Sequence, residues 1–275
     1  MISSHFPTVH HLRDWLQHHI VAGIADLRNP RIIFKGGTYL RICQFEDFRF
    51  SEDLDFDFFG HPDEFRKLII KAAKNAEKSS NTNINVLNKP ATNPEIIGEH
   101  DGFRVQIKTE ATYLPITEPE MPSTFYSIIN RYEDVPRNSI TGYKLVAVAA
   151  DKLKCIARRG RARDFYDLDK LLTEKKITID EAWELYIKTW NSPSREYGKR
   201  PHPAEIRGSY LGRKERLEQD WESLVSSKMF SHPESFHIVF QRLDKTIDEV
   251  LKKWKSELPR GVLHAERKQN ILRDH

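Results

Sequence analysis

Only two cysteines, Cys43 and Cys155, occur in 275 residues, and they form no Cys-x-x-Cys pair. That argues against a disulfide framework, thiol redox chemistry and a cysteine-built zinc site, so both read as reduced core residues on helices. The 12 histidines are scattered, and no His-x-x-x-His pair stands near a suitable acid, which speaks against zinc catalysis. No apolar run approaches the roughly 18 residues of a membrane-spanning helix. The N-terminus, Met1 to Pro7, lacks the basic-then-apolar order of a signal peptide, so the expected location is the cytoplasm. No internal repeat is visible. Net charge is small too, +4 from 44 basic and 40 acidic side chains, and it is unevenly placed. Residues 1–194 balance at 27 of each sign, whereas the remainder carries 17 basic and 13 acidic. A polyanion such as RNA would lie on that later part or on the basic run 152–163.

What is present is an ordinary soluble composition, 39% hydrophobic and 31% charged, long enough for a sizeable core in two structural units. Apolar spacing predicts a helix over 7–27, a strand over 31–34, a helix over 38–46 and a strand over 53–59. A helix over 62–80 follows, then strands over 83–88, 103–113 and 124–129. Helices are expected over 142–158, 164–173, 179–190, 203–225 and 233–256, with a turn-rich separator from 191 to 203 and a polar tail after Pro259. Strands first and helices last make an α+β protein, with a mixed β-sheet near the N-terminus and a helical C-terminal part. The expected division is 1–140 as a core with its N-terminal helix and 141–275 as a helical domain.

Two motifs carry chemistry. Lys35-Gly36-Gly37-Thr38 follows the apolar run Ile32-Ile33-Phe34, and after fourteen residues comes Asp53-Leu54-Asp55-Phe56-Asp57. A Gly-Gly turn opening a helix lets backbone N–H groups approach phosphate oxygens. Alternation on a strand turns Asp53, Asp55 and Asp57 to one face while Leu54, Phe56 and Phe58 pack inward. Carboxylates so placed suit Mg²⁺, a hard cation that leaves room for substrate phosphates. Alone, a glycine pair marks an ordinary turn, and Asp-x-Asp marks a solvated strand face. Their order, each beside an apolar strand-like run, points to metal-assisted nucleotidyl transfer.

The second motif spans 152–168. Between Lys152 and Arg163 stand six basic residues and no acid, which repel one another unless an anion or carboxylates relieve them; a polyanion is the expected relief. Asp164 falls at the start of the next helix, where it suits an N-cap, and Asp167 lies one turn on, on the same face.

The runs 34–40 and 49–56 resemble the first motif of the AbiEii/AbiGii-type nucleotidyltransferase toxins, of the DNA polymerase β-like superfamily. The run Asp151 to Leu168, a lysine on one helix and Arg-Asp-x-x-Asp opening the next, is similar to the later motifs. The resemblance implies a polymerase-β-like core, a nucleoside triphosphate donor, Mg²⁺ and commonly a cognate antitoxin. Relatives of the MenT type imply an RNA acceptor, the tRNA 3′ end. It further implies Asp53, Asp55, Lys152, Asp164 and Asp167 as catalytic, with Lys35, Gly36, Gly37, Thr38, Ser51 and Lys152 at the nucleotide. Two positions depart from the pattern. Lys108 stands where a third carboxylate is usual, so Glu110, on the same face, or Asp57 takes its place. Ala147 replaces an acid that some relatives carry, and no role is assigned to it. Alternatives are transfer to a protein or small molecule, and an inactive RNA-binding or regulatory partner.

Overall fold

A computed structural model describes residues 8–87, 93–100, 102–116, 121–175, 177–190, 202–230 and 233–257. It divides into two compact units, Met1–Val148 with Glu222–Pro233, and Ala149–Trp221 with Glu234–His275. The separator from 191 to 201 and the tail after 257 lie outside the described residues.

The first unit opens with α1 (Val9–Asp26), where the Thr8 hydroxyl accepts from the His11 N–H as an N-cap. Then come β1 (Ile32–Lys35) and a short α2 (Gly36–Tyr39) that runs into a π turn, Leu40–Gln44. Next are β2 (Asp53–Phe59), α3 (Pro62–Ser80), β3 (Asn83–Leu87), β4 (Glu95–His100), β5 (Phe103–Leu114), β6 (Ser123–Ser127) and β7 (Ser139–Tyr143). The strands form one mixed sheet in the order β3-β4-β5-β2-β1-β7-β6. β2 lies centrally, antiparallel to β1 and parallel to β5.

Period-two alternation gives the sheet two different faces. Leu54, Phe56, Phe58, Val105 and Ile107 are buried, and Phe65 of α3 packs its ring on Phe56 and Phe58. Asp53, Asp55, Lys108 and Glu110 project from the opposite face, half-buried or exposed. The sheet therefore presents one apolar face to helices and one charged face.

β4 and β7 are additions to the predicted set. β4 is Glu-Ile-Ile-Gly-Glu-His behind a Pro- and Asn-rich stretch, which reads locally as a turn. β7 contains Gly142 and reads as the approach to a helix, yet it pairs in parallel with β1. Its glycine is required by contact, because a Cβ there would lie 2.4 Å from the Tyr39 ring. Tyr39 is itself fully buried, donating its hydroxyl to the Tyr143 carbonyl at 2.7 Å.

Packed on α3, β5 and β7, α1 carries buried polar groups. Asp14 accepts from Arg41 at both oxygens, 2.5 and 2.9 Å, and from the Tyr132 hydroxyl at 2.8 Å. His18 Nδ1–H donates to the Asp14 carbonyl at 2.7 Å, and burial, only partly opposed by the Asp14 charge, drives its pKa down to about 4. The folded chain holds His18 neutral, whereas the unfolded chain protonates it below about 6.5. Stability should thus fall as pH drops from about 6.5 to about 4, by up to about 3 kcal/mol for this group. Urea midpoints across that range, compared with His18→Gln, check this: the variant should show the shallower slope.

The second unit is helical: most of α4 (Leu145–Arg158), then α5 (Ala162–Glu174), α6 (Ile179–Trp190), α7 (Ile206–Leu211), most of α8 (Lys214–Ser226) and α9 (Phe236–Glu257). The single helix expected over 203–225 is broken at Gly212, the C-cap of α7. Phe165 stacks on Phe240, and Tyr210 meets both rings edge-on. Arg242 grips Asp169 with two bonds of 2.7 Å, and Arg207 grips Asp244 at 2.8 and 2.9 Å. Trp183, Tyr186 and Trp221 are buried, so they pack the core and offer no platform for bases. No helix among the described residues is long and apolar enough to cross a membrane.

Candidate active site

Gly36 has φ +80°, a conformation open to glycine and strained for other residues. It turns the chain from β1 into α2 directly over β2. A Cβ on Gly36 would lie 2.1 Å from Asp55 Oδ2, so the Asp55 carboxylate rests against the bare glycine backbone. Gly37 is constrained by contact alone: a Cβ there would lie 2.3 Å from Arg49 Nη2. Thr38 is fully buried and donates its hydroxyl to the Asp53 carbonyl, tying the helix start to the first aspartate of the ladder. Ser51 is buried two residues ahead, its carbonyl accepting from Gln17 Nε2 at 3.2 Å. Gly36, Gly37, Thr38, Asp53 and Asp55 thus come together at the ends of the central strands β1 and β2, whereas Ser51 is tied to α1.

The structure places Lys35 and Asp57 in a pair that spacing did not reveal. Lys35 Nζ donates to Asp57 Oδ1 at 2.5 Å and to Thr112 Oγ1 at 3.2 Å, and the Tyr143 hydroxyl donates to Asp57 Oδ2 at 2.5 Å. Asp57 is buried inside this network, whereas Glu110 is exposed and level with Asp55 in the parallel register. Lys108 stands level with Asp53.

Among the described residues no three His, Cys, Asp or Glu side chains are grouped to hold a metal ion by themselves. Mg²⁺ is typically held through one or two carboxylates with phosphate oxygens and water completing the shell. Asp53 and Asp55 are hard oxygen donors on one face, and Asp55 lies against a turn able to seat phosphates. That donor set fits the ion.

In the second unit, Lys152 is buried on α4 and paired with two carboxylates of α5, Asp167 at 2.7 Å and Asp164 at 3.4 Å. Asp164 has no exposed surface and also accepts two bonds from Arg159, at 3.0 and 3.1 Å. Its other contact is the Arg161 N–H at 3.4 Å, part of an N-terminal capping arrangement on α5. Burial alone would raise the Asp164 pKa, but Lys152 and Arg159 outweigh it and hold the group down at about 2. The relief of Lys152 and Arg159 therefore comes from the protein's own carboxylates. Arg158 and Arg161 are exposed, with Lys154 and Arg163 half-buried. Cys43 is buried and Cys155 is half-buried; burial raises the Cys43 pKa and pushes Cys155 up to about 12.

A mixed sheet with a glycine turn seated on alternating aspartates fits a nucleotidyltransferase. The chain belongs to the AbiEii family, described as nucleotidyl transferase AbiEii toxin of a type IV toxin–antitoxin system, which it matches over residues 20–253. Among solved structures it is similar to MenT4, a nucleotidyltransferase toxin from Mycobacterium tuberculosis. That likeness has a TM-score of 0.61 at 19% identity and covers 91% of this chain and 85% of that one. An antigenic nucleotidyltransferase-like protein from Paracoccidioides brasiliensis matches with a TM-score of 0.39 at 12% identity, over 64% of this chain and 87% of that one. At 19% identity the likeness to MenT4 speaks for the fold alone. No curated protein sequence matches the chain.

Replacing Gly36 by Ala tests the turn. The methyl group would displace the Asp55 carboxylate, and the positive φ would cost about 1–2 kcal/mol. Nucleotide transfer should drop about 100-fold, as expected when a reacting geometry shifts by about 1 Å. The melting temperature should fall by only a few degrees. Parallel melts and transfer assays check this, and a fully active variant would remove the turn from the site.

Proposed function

We propose that the chain is a Mg²⁺-dependent toxin that moves a nucleoside monophosphate from a nucleoside triphosphate onto RNA, at the tRNA 3′ end, releasing pyrophosphate. Translation and growth would stop as a result. The observation that carries this reading is the Asp55 carboxylate resting on the Gly36 backbone, with Asp53 on the same strand face. A phosphate received by the backbone at Gly36 and Gly37 would lie beside the very carboxylates that suit the ion. Asp53 and Asp55 would hold Mg²⁺, with phosphate oxygens and water completing its shell and Glu110, level with Asp55, as the candidate for a further carboxylate. Bound there, Mg²⁺ supplies Lewis-acid stabilisation of charge on the phosphate oxygens.

The protein's own contribution is positional. The turn fixes the donor, Thr38 ties the turn to Asp53, and Asp57 holds Lys35 on the same face as a fixed positive charge. For the second unit the reading rests on chemistry and family resemblance: Lys152, oriented by Asp164 and Asp167, is the catalytic lysine. The exposed Arg158 and Arg161 favour a polyanionic acceptor. An antitoxin, encoded as a separate protein, would restrain the activity.

Incubating the protein with each α-labelled nucleoside triphosphate and Mg²⁺, in turn with total RNA, cell protein and aminoglycosides, tests the acceptor. Label should enter small RNA of tRNA size. Label entering protein alone would overturn the RNA reading in favour of a protein acceptor.

A further inference from the structure

We infer that the guanidinium of Arg49 is a fixed cation that receives the donor's triphosphate at the Gly36–Gly37 turn. This rests on the nucleotidyltransferase reading and names a residue that the motifs left without a role. Arg49 is only 3% exposed, yet its Nη2 closes on Gly37 so tightly that a Cβ there would lie 2.3 Å away. Glycine at 37 therefore serves two purposes: it bares the backbone, and it lets a guanidinium reach the same spot. A guanidinium presents a planar fork that matches two phosphate oxygens at once.

The loop that carries Arg49 is held from beneath. Arg41 Nη1 donates to the Phe48 carbonyl, and its guanidinium lies 4.1 Å over the Phe50 ring. Arg131 donates to the carbonyls of Phe45 at 2.9 Å, of Arg41 at 3.2 Å, and of Glu46. Gln17 takes the Ser51 carbonyl at 3.2 Å, and the Phe50 N–H donates to the Met229 carbonyl at 2.8 Å. Arg49 Nη1 completes the set by donating to the Phe50 carbonyl at 3.0 Å. With its carbonyls gripped on both sides of residue 49, the loop sets the guanidinium before any substrate arrives, which lowers the ordering cost of binding.

The test is calorimetric titration of full-length wild type, Arg49→Ala, Arg49→Lys and Gly37→Ala. The probes are inorganic tripolyphosphate, a non-hydrolysable nucleoside triphosphate analogue and the matching unphosphorylated nucleoside. Arg49→Ala should weaken tripolyphosphate and analogue at least about tenfold, equal to about 1.4 kcal/mol, and leave the nucleoside unchanged. Arg49→Lys, which keeps charge and loses the fork, should fall between. Gly37→Ala should weaken both phosphate probes with Arg49 still present. A merely structural Arg49 would instead weaken nucleoside and analogue in parallel. A folded Arg49→Ala that binds tripolyphosphate within twofold of wild type overturns the inference. Should that variant fail to fold, wild-type binding by Arg49→Lys and Gly37→Ala overturns it. Wild type binding neither phosphate probe would defeat the enzyme reading along with it, whereas normal wild-type binding with unchanged variants defeats the role of Arg49 alone.

Discussion

Asp55→Ala should reduce nucleotide transfer by at least about 10³-fold, a loss of about 4 kcal/mol of transition-state stabilisation. The carboxylate is one of two that suit the ion, and it is the one seated on the glycine turn. Its removal should leave the fold intact. Asp55 is half-buried on the charged face, while the adjoining Leu54 and Phe56 carry the packing of β2. A transfer assay on a variant whose melting temperature stays within a few degrees of wild type checks the first part. Growth on expression checks the second: wild type should arrest cells, and Asp55→Ala should not. Equal arrest by both would sink the catalytic-toxin reading.

Asp164→Ala should lower stability measurably. It leaves the Arg159 guanidinium without its two short bonds and withdraws one of two carboxylates from the buried Lys152. The exposed Arg159 then turns to water and the buried Lys152 keeps Asp167 at 2.7 Å, so the loss should be about 1.5–3 kcal/mol, the usual worth of hydrogen bonds to charged groups. Lys152→Met is the informative companion, since it takes the buried cation away from both carboxylates and should raise the Asp164 pKa. Because the Asp164 pKa is depressed to about 2, its stabilisation is present at neutral pH and fades as pH falls below about 4. Urea unfolding followed by tryptophan fluorescence reads this directly, as the second unit contains Trp183, Trp190, Trp221 and Trp254. A loss below about 1 kcal/mol for Asp164→Ala would show that Arg159 and Lys152 find other partners.

Sequence reasoning reached β2, α3 and α6 to the residue, because each has a sharp local signal: alternation in β2, Pro62 opening α3, and apolar periodicity across 179–190. It passed over β4 and β7, whose strand character comes from partners elsewhere in the chain. Gly142 gives no local hint of the Tyr39 ring that requires it. The same limit held at the site. The glycine turn and aspartate ladder are contiguous motifs and could be read directly. The Lys35–Asp57–Tyr143 network joins positions up to 108 residues apart, so no spacing rule reaches it. The relief of the 152–163 charges was read towards an outside polyanion because Asp164 and Asp167 sit just beyond the run, and only folding turns them back onto Lys152 and Arg159.

The role of α1 has an evolutionary consequence. Asp14, which anchors Arg41, and Gln17, which grips Ser51, both precede residue 20, where the family match begins. Drift in this opening segment is therefore coupled to the motif loop: a change at position 14 or 17 calls for a compensating change at 41 or in the stretch from 45 to 52. A shortened form that retained every recognisable signature could still lose the keystone that keeps them in register.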